Sequence, residues 1–155
     1  MASSLHRCRL ACIGRFSVEK EAIERFAIQV RQFQSAMARL EEMLQRDEDE
    51  AVRDSIVLRF LLTFEAAWKA MYQFLAGHGE NVPKSAWAVL PQAFTALLIA
   101  DAAEWSRARK YRNVIGHDYD APTAIEIAAY ARAPGLRIFR DLEKTLLQQL
   151  EKLNA

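Results

Sequence analysis

The chain has 155 residues, 52% hydrophobic and 26% charged, with a formal net charge of +1, which suits one domain with a substantial core. No apolar run approaches the roughly 18–20 residues needed to cross a bilayer. The near-neutral charge excludes broad, purely electrostatic nucleic-acid binding but leaves room for a local basic patch.

Residues 1–17 carry Arg7, Arg9 and Arg15, with no acid before Glu19. Their apolar stretch is too short and interrupted for a secretory signal, and they are expected to form a flexible leader ahead of one helical domain over 18–155. Cys8 and Cys12, with His6 nearby, fall short of the four ligands a structural zinc takes. The two thiols lie too close together to staple a domain, which fits a reducing, cytoplasmic setting. No metal or cofactor is expected.

From Ile23 the apolar positions step by three and four through Phe26, Val30, Phe33, Met37, Leu40 and Leu44. That spacing predicts a first helix over roughly residues 18–45. The acidic run Asp47 to Glu50 ends it and opens a second helix, over roughly residues 50–76. Two adjoining stripes, Ile56-Phe60-Phe64-Ala67-Met71-Phe74 and Val57-Leu61-Trp68-Tyr72, make this second helix apolar around much of its circumference. Such a helix belongs in the middle of a bundle. Gly77-His78-Gly79 should end it through a glycine C-cap.

Pro83 and Ser85 open a third helix through Trp87, Leu90, Phe94 and Leu97, in which Pro91 is expected to make a kink or split off the first turn. Asp101 with Glu104 forms a capping arrangement that starts a fourth helix, which Gly116 ends or bends. Thr123 with Glu126 is expected to cap the last helical segment. Pro134-Gly135 interrupts that segment before Phe139, Leu142, Leu146, Leu150 and Leu153 resume the stripe. With only five glycines and four prolines, and no strand pattern or repeat, the fold expected is an all-α antiparallel bundle of four to five helices.

The segment Arg112-Asn-Val-Ile-Gly-His117-Asp-Tyr119 brings a guanidinium, an amide, an imidazole and a phenol to one helix end. Arg112 would sit one turn before that end and His117 just past it, so both could reach one small anion. A guanidinium fork can hold two phosphate oxygens, and an imidazole can move a proton near neutral pH. This pairing suggests phosphodiester chemistry without a metal. A helix-end histidine also serves as a plain cap, and the residues alone leave both readings open. Arg107, Arg109, Lys110 and Arg112 form either a positive rim that guides an RNA backbone or a solvated helical face. Trp68, Trp87 and Trp105 read as core or dimer contacts rather than base-stacking platforms. Glu65 and Lys69 read as an i,i+4 pair, and His78 as a turn residue.

Arg112, four residues, His117, one residue, Tyr119 resembles the Arg-x4-His-x-Tyr motif of HEPN domains, with Asn113 after the arginine also fitting. A second block, Arg59-Phe60-Leu-Leu-Thr63-Phe64-Glu65-Ala-Ala67-Trp68-Lys69, is similar to the Arg-Phe-x-x-Thr-Phe-Glu-x-Ala-Trp-Lys helix of the branch called nucleotidyltransferase substrate-binding proteins. Leu61 and Leu62 depart from it, standing where relatives more often carry an acid and an aromatic. The resemblance spans roughly residues 20–153 and implies an up-and-down bundle that forms a homodimer with two motifs facing a shared cleft. It further implies metal-independent RNA cleavage, in which His117 acts as general acid or base, Arg112 stabilises the phosphorane and Asn113 orients the histidine or the phosphate. The products would be a 2′,3′-cyclic phosphate and a 5′-hydroxyl. Arg109, Lys110 and Arg59 would bind the substrate. A separately encoded nucleotidyltransferase, the antitoxin of the pair, would silence this toxin by attaching AMP to Tyr119. The alternative is a non-catalytic subunit that binds substrates for that nucleotidyltransferase. The chain itself lacks the Gly-Ser motif and paired aspartates with which such enzymes hold magnesium.

Overall fold

Phe26, Val30, Phe33, Met37 and Leu40 all lie buried along one face of the first helix, α1 (Ser3–Leu44). The computed structural model describes the backbone from Ser3 to Ala155 and the side chains from Glu19 onward. The leader expected over 1–17, with His6, Cys8 and Cys12, lies outside the residues described with their side chains.

Asp49 opens α2 (Glu50–Gly77), its carboxylate accepting the Val52 N–H at 2.7 Å. Both apolar stripes of α2 find neighbours, since α2 packs against α1, α3, α4 and α5. It ends as a Schellman motif: the Glu80 N–H reaches back to the Leu75 carbonyl and the Gly79 N–H to that of Ala76, both at 3.1 Å. Gly79 holds the left-handed backbone this needs, at φ 82°. His78 caps the end, with its Nδ1 2.8 Å from the Phe74 carbonyl and its ring against Phe74.

Ser85 starts α3 (Ala86–Thr95), accepting the Ala88 N–H. Pro91 sits inside this helix without splitting it, so the first turn stays joined. Its missing N–H removes a single bond from the ladder. The helix stops at Thr95, short of Leu97, because the chain turns there. The Leu98 N–H bonds the Ala93 carbonyl at 2.9 Å, and Leu97 takes the left-handed conformation at φ 61°.

Asp101 caps α4 (Ala102–Ile115), accepting the Glu104 N–H at 3.2 Å. α5 (Ala121–Tyr130) is capped by Asp120 and not by Thr123. Asp120 Oδ1 accepts the Thr123 N–H at 2.9 Å, and Pro122 in the first turn has no N–H to satisfy. Glu126, expected to serve in a cap, instead accepts the Tyr111 hydroxyl at 2.7 Å.

Ala131–Gly135 is a π-helical turn that joins α5 to α6 (Leu136–Asn154), so the Pro134-Gly135 interruption leaves one locally widened helix. Counting that joined pair as one rod, the molecule is an all-α bundle of five helical rods, with no strand among the described residues. Its centre is Phe139 of α6, whose ring meets Phe33 of α1, Phe60 of α2 and Trp105 of α4 at 5.7–6.1 Å. No helix among the described residues is long and apolar enough to cross a membrane.

Candidate functional site

The site is built where the end of α4 meets the middle of α2. Buried Trp105, Ala108 and Tyr111 anchor one face of α4, which fixes the rotation at which Arg112 leaves its last turn. Gly116 accepts the role of C-cap with ordinary helical φ, its N–H bonding the Arg112 carbonyl, while the His117 N–H closes a tighter turn on Val114.

Glu65 of α2 meets Arg112 directly, with Nε donating to Oε1 at 2.6 Å. The other carboxylate oxygen of Glu65 accepts the Trp68 indole N–H at 2.9 Å. One carboxylate is thus fixed by a core indole and in turn fixes the guanidinium. Arg112 Nη1 also donates to Asn113 Oδ1 at 3.3 Å, leaving Nη2 and the second hydrogen of Nη1 for a ligand oxygen. A guanidinium held on its Nε side presents its outer edge in a defined orientation, the geometry that suits an oxyanion.

Leu61, Leu62, Glu65, Arg112, Asn113, Gly116 and His117 line one open cleft of about 530 Å³. The structure therefore brings the three expected catalytic residues together. His117 and Asn113 are exposed there, and Arg112 is half-buried. Leu61 and Leu62 form the apolar side of the cleft, so the departure of these two residues from the α2 pattern falls on the cleft wall itself.

Other expected residues point elsewhere. Arg109 stacks 4.2 Å over the Trp87 ring and lines a different groove between α3 and α4. Arg107 lies 4.8 Å over the Tyr130 ring and donates to the Tyr111 hydroxyl. Lys110 is exposed and makes no ion pair among the described residues. The four basic residues of α4 thus fan out in different directions. Successive positions turn by 3.6 residues per revolution, so offsets of two, three and five cannot all share a face. Arg59 lines a smaller cleft on the far side of Leu62. Tyr119 is half-buried against the core and does not line the Arg112 cleft. Burial pushes its phenol above the ordinary tyrosine pKa, and the nearby Asp54 carboxylate adds to the rise.

Trp68 and Trp105 are buried, whereas Trp87 is 71% exposed. The expected Glu65–Lys69 pair does not form, because the Glu65 carboxylate is occupied by Arg112 and Trp68. Lys69 lies instead 5.8 Å from the Trp68 ring centre. Glu65 is the site residue that spacing along the chain missed. Its partner is 47 positions away, and the only hint was its place in the α2 block.

Residues 28–152 match the family described as "Nucleotidyltransferase substrate binding protein like". The chain belongs to that family. A solved structure of a protein from Thermus thermophilus shares the fold, with a TM-score of 0.63 at 28% identity, covering 76% of this chain and 98% of that one. No curated protein matches the chain. Membership of the nucleotidyltransferase substrate-binding protein-like family agrees with both sequence blocks. In this member the Glu65–Arg112 bond physically joins the α2 block to the Arg-x4-His segment.

Proposed function

We propose that this chain is a metal-independent endoribonuclease of HEPN type, acting as a homodimeric toxin that a separately encoded nucleotidyltransferase holds in check. The observation that carries this reading is the shared cleft, in which Arg112, oriented by Glu65, stands with Asn113 and His117. In the reaction the ribose 2′-oxygen attacks the adjacent phosphorus and the bond to the 5′-oxygen breaks. His117 takes the 2′-hydroxyl proton or supplies the one the leaving oxygen needs. The free edge of Arg112 neutralises charge gathering on the phosphorane, where a pre-oriented donor is worth most. Asn113 holds the guanidinium and a phosphate oxygen in register.

The homodimer is supported by apolar residues exposed on α2 and α4. Leu58 on α2 and Val114 on α4 are 51% and 39% exposed. Burying them against a second copy would bring two clefts together. For regulation, Tyr119 is the hydroxyl that the partner would modify with AMP.

A second reading has its own support in the family description, which speaks of substrate binding. On that reading the Arg112 cleft holds an anionic substrate for a nucleotidyltransferase without cutting it.

The test is expression of wild type and His117→Ala without any partner, followed by growth and RNA integrity. Wild type should halt growth and leave RNA with 2′,3′-cyclic phosphate ends, while His117→Ala does neither. If both are harmless and RNA stays intact, the ribonuclease reading falls and the binding-subunit reading replaces it.

A further inference from the structure

Three arginines among the described residues bury an Nε that has no hydrogen-bond acceptor: Arg53, Arg59 and Arg109. An unsatisfied buried donor on a cation is costly and calls for an explanation. For Arg53 a carboxylate is at hand, with Glu48 3.5 Å away. For Arg109 the Trp87 ring lies under the guanidinium. Arg59 has neither an ion pair nor an aromatic face among the described residues.

Arg59 lines a groove of about 200 Å³ between α1 and α2, opposite Arg39 and beside Gln32 and Ser35. These three α1 residues fall at helical steps of three and four, so they present one polar face. Arg39 is exposed and also makes no ion pair among the described residues. No carboxylate among the described residues lines the groove, and Glu42 pairs with Arg46, Glu41 with Arg140 and Glu65 with Arg112. The groove is therefore positive and rich in donors. Leu62 lines both this groove and the Arg112 cleft, which makes the two neighbours on one surface.

We propose that Arg59 and Arg39, with Gln32 and Ser35, form an anion subsite that takes a backbone phosphate of the RNA strand next to the one held at Arg112. The proposal rests on the ribonuclease reading for the identity of its ligand. An incoming phosphate supplies the ion-pair partner that the Arg59 guanidinium lacks, and two guanidiniums facing one groove match its charge and its several oxygens. The strand then passes over Leu62 from one phosphate site to the next.

The test measures binding of a labelled oligouridylate to the full-length His117→Ala protein, which leaves the strand uncut, over a series of salt concentrations. Each phosphate contact on a single strand contributes about 0.7 to the slope of log affinity against log salt. Adding Arg39→Gln or Arg59→Gln should each flatten the slope by about that amount and weaken binding several-fold at low salt. Arg39 is exposed, so its variant keeps the test sound even if Arg59→Gln disturbs folding, which circular dichroism reports. Unchanged slopes in both variants would overturn the subsite, and so would absence of any binding by the His117→Ala protein. Cleavage by protein with native His117 is read separately. Its absence with the slopes flattened as expected removes the reaction and leaves the subsite standing.

Discussion

Glu65 and Arg112, 47 positions apart, are joined by a 2.6 Å hydrogen-bonded ion pair that ties the centre of α2 to the last turn of α4. Because Trp68 holds the other carboxylate oxygen, Glu65 cannot follow Arg112 if the arginine drifts. It sets the guanidinium's direction.

Glu65→Gln therefore tests positioning. On the ribonuclease reading, loss of the charge should let Arg112 swing, lowering kcat for RNA cleavage by roughly 10–100-fold with a smaller change in KM. Both side chains are partly exposed, so the stability cost should stay at about 1 kcal/mol or less. A purely structural pair would give the opposite pattern, with unchanged kcat and a lowered urea midpoint.

Leu97 closes the end of α3 with φ 61° while 84% of its surface is in water. Its side chain gains little and the left-handed backbone costs a non-glycine residue about 1–2 kcal/mol. Leu97→Gly should raise the unfolding free energy by roughly 1 kcal/mol, after the entropy that glycine adds to the unfolded chain. A urea midpoint at or below wild type would show that Leu97 is held there by contacts of its own.

Gly135 is required by close approach. A Cβ there would meet the Tyr130 carbonyl oxygen and Cε1, each at 3.1 Å. The ring cannot easily yield, because the Tyr130 hydroxyl donates to the Glu104 carbonyl at 3.0 Å and Arg107 lies over its face. Gly135→Ala should cost about 1–3 kcal/mol by overpacking, read as a lowered midpoint in urea. A neutral effect would mean that the π-helical turn relaxes to make room.

The Arg137 guanidinium and the Glu104 N–H hold the Asp101 carboxyl below its ordinary value of 3.8. A carboxylate whose pKa is depressed by folding adds stability that is complete above its unfolded value and is lost as pH falls through the folded one. Wild type should therefore lose stability as the pH drops below about 4. Asp101→Asn keeps a cap acceptor without the charge, so its urea midpoint should fall less steeply over the same range. Parallel curves for the two proteins would remove Asp101 from the acid response.

The α1 and α2 stripes, the Asp101 cap and the glycine end of α2 were legible because each depends on residues within a few positions of one another. The α5 cap was misread for a local reason. Thr123 and Glu126 have capping-box spacing, but the cap falls to Asp120, whose carboxylate reaches the Thr123 N–H with Pro122 between them. The reach of α3 was overestimated because Leu97 continues the apolar spacing while its backbone turns the other way.

Local periodicity and capping chemistry determined the all-helical fold, and the Arg112-Asn113-His117 spacing determined that these three groups meet at one helix end. Tertiary packing alone decided that Glu65 would aim Arg112, that Tyr119 would rest against the core outside the cleft, and that Arg107, Arg109 and Arg112 would part company. The physical reason is range. Backbone hydrogen bonds act over three or four residues, whereas an ion pair or a stacked ring depends on which helix lies opposite, and that is settled only when the core closes around Phe139.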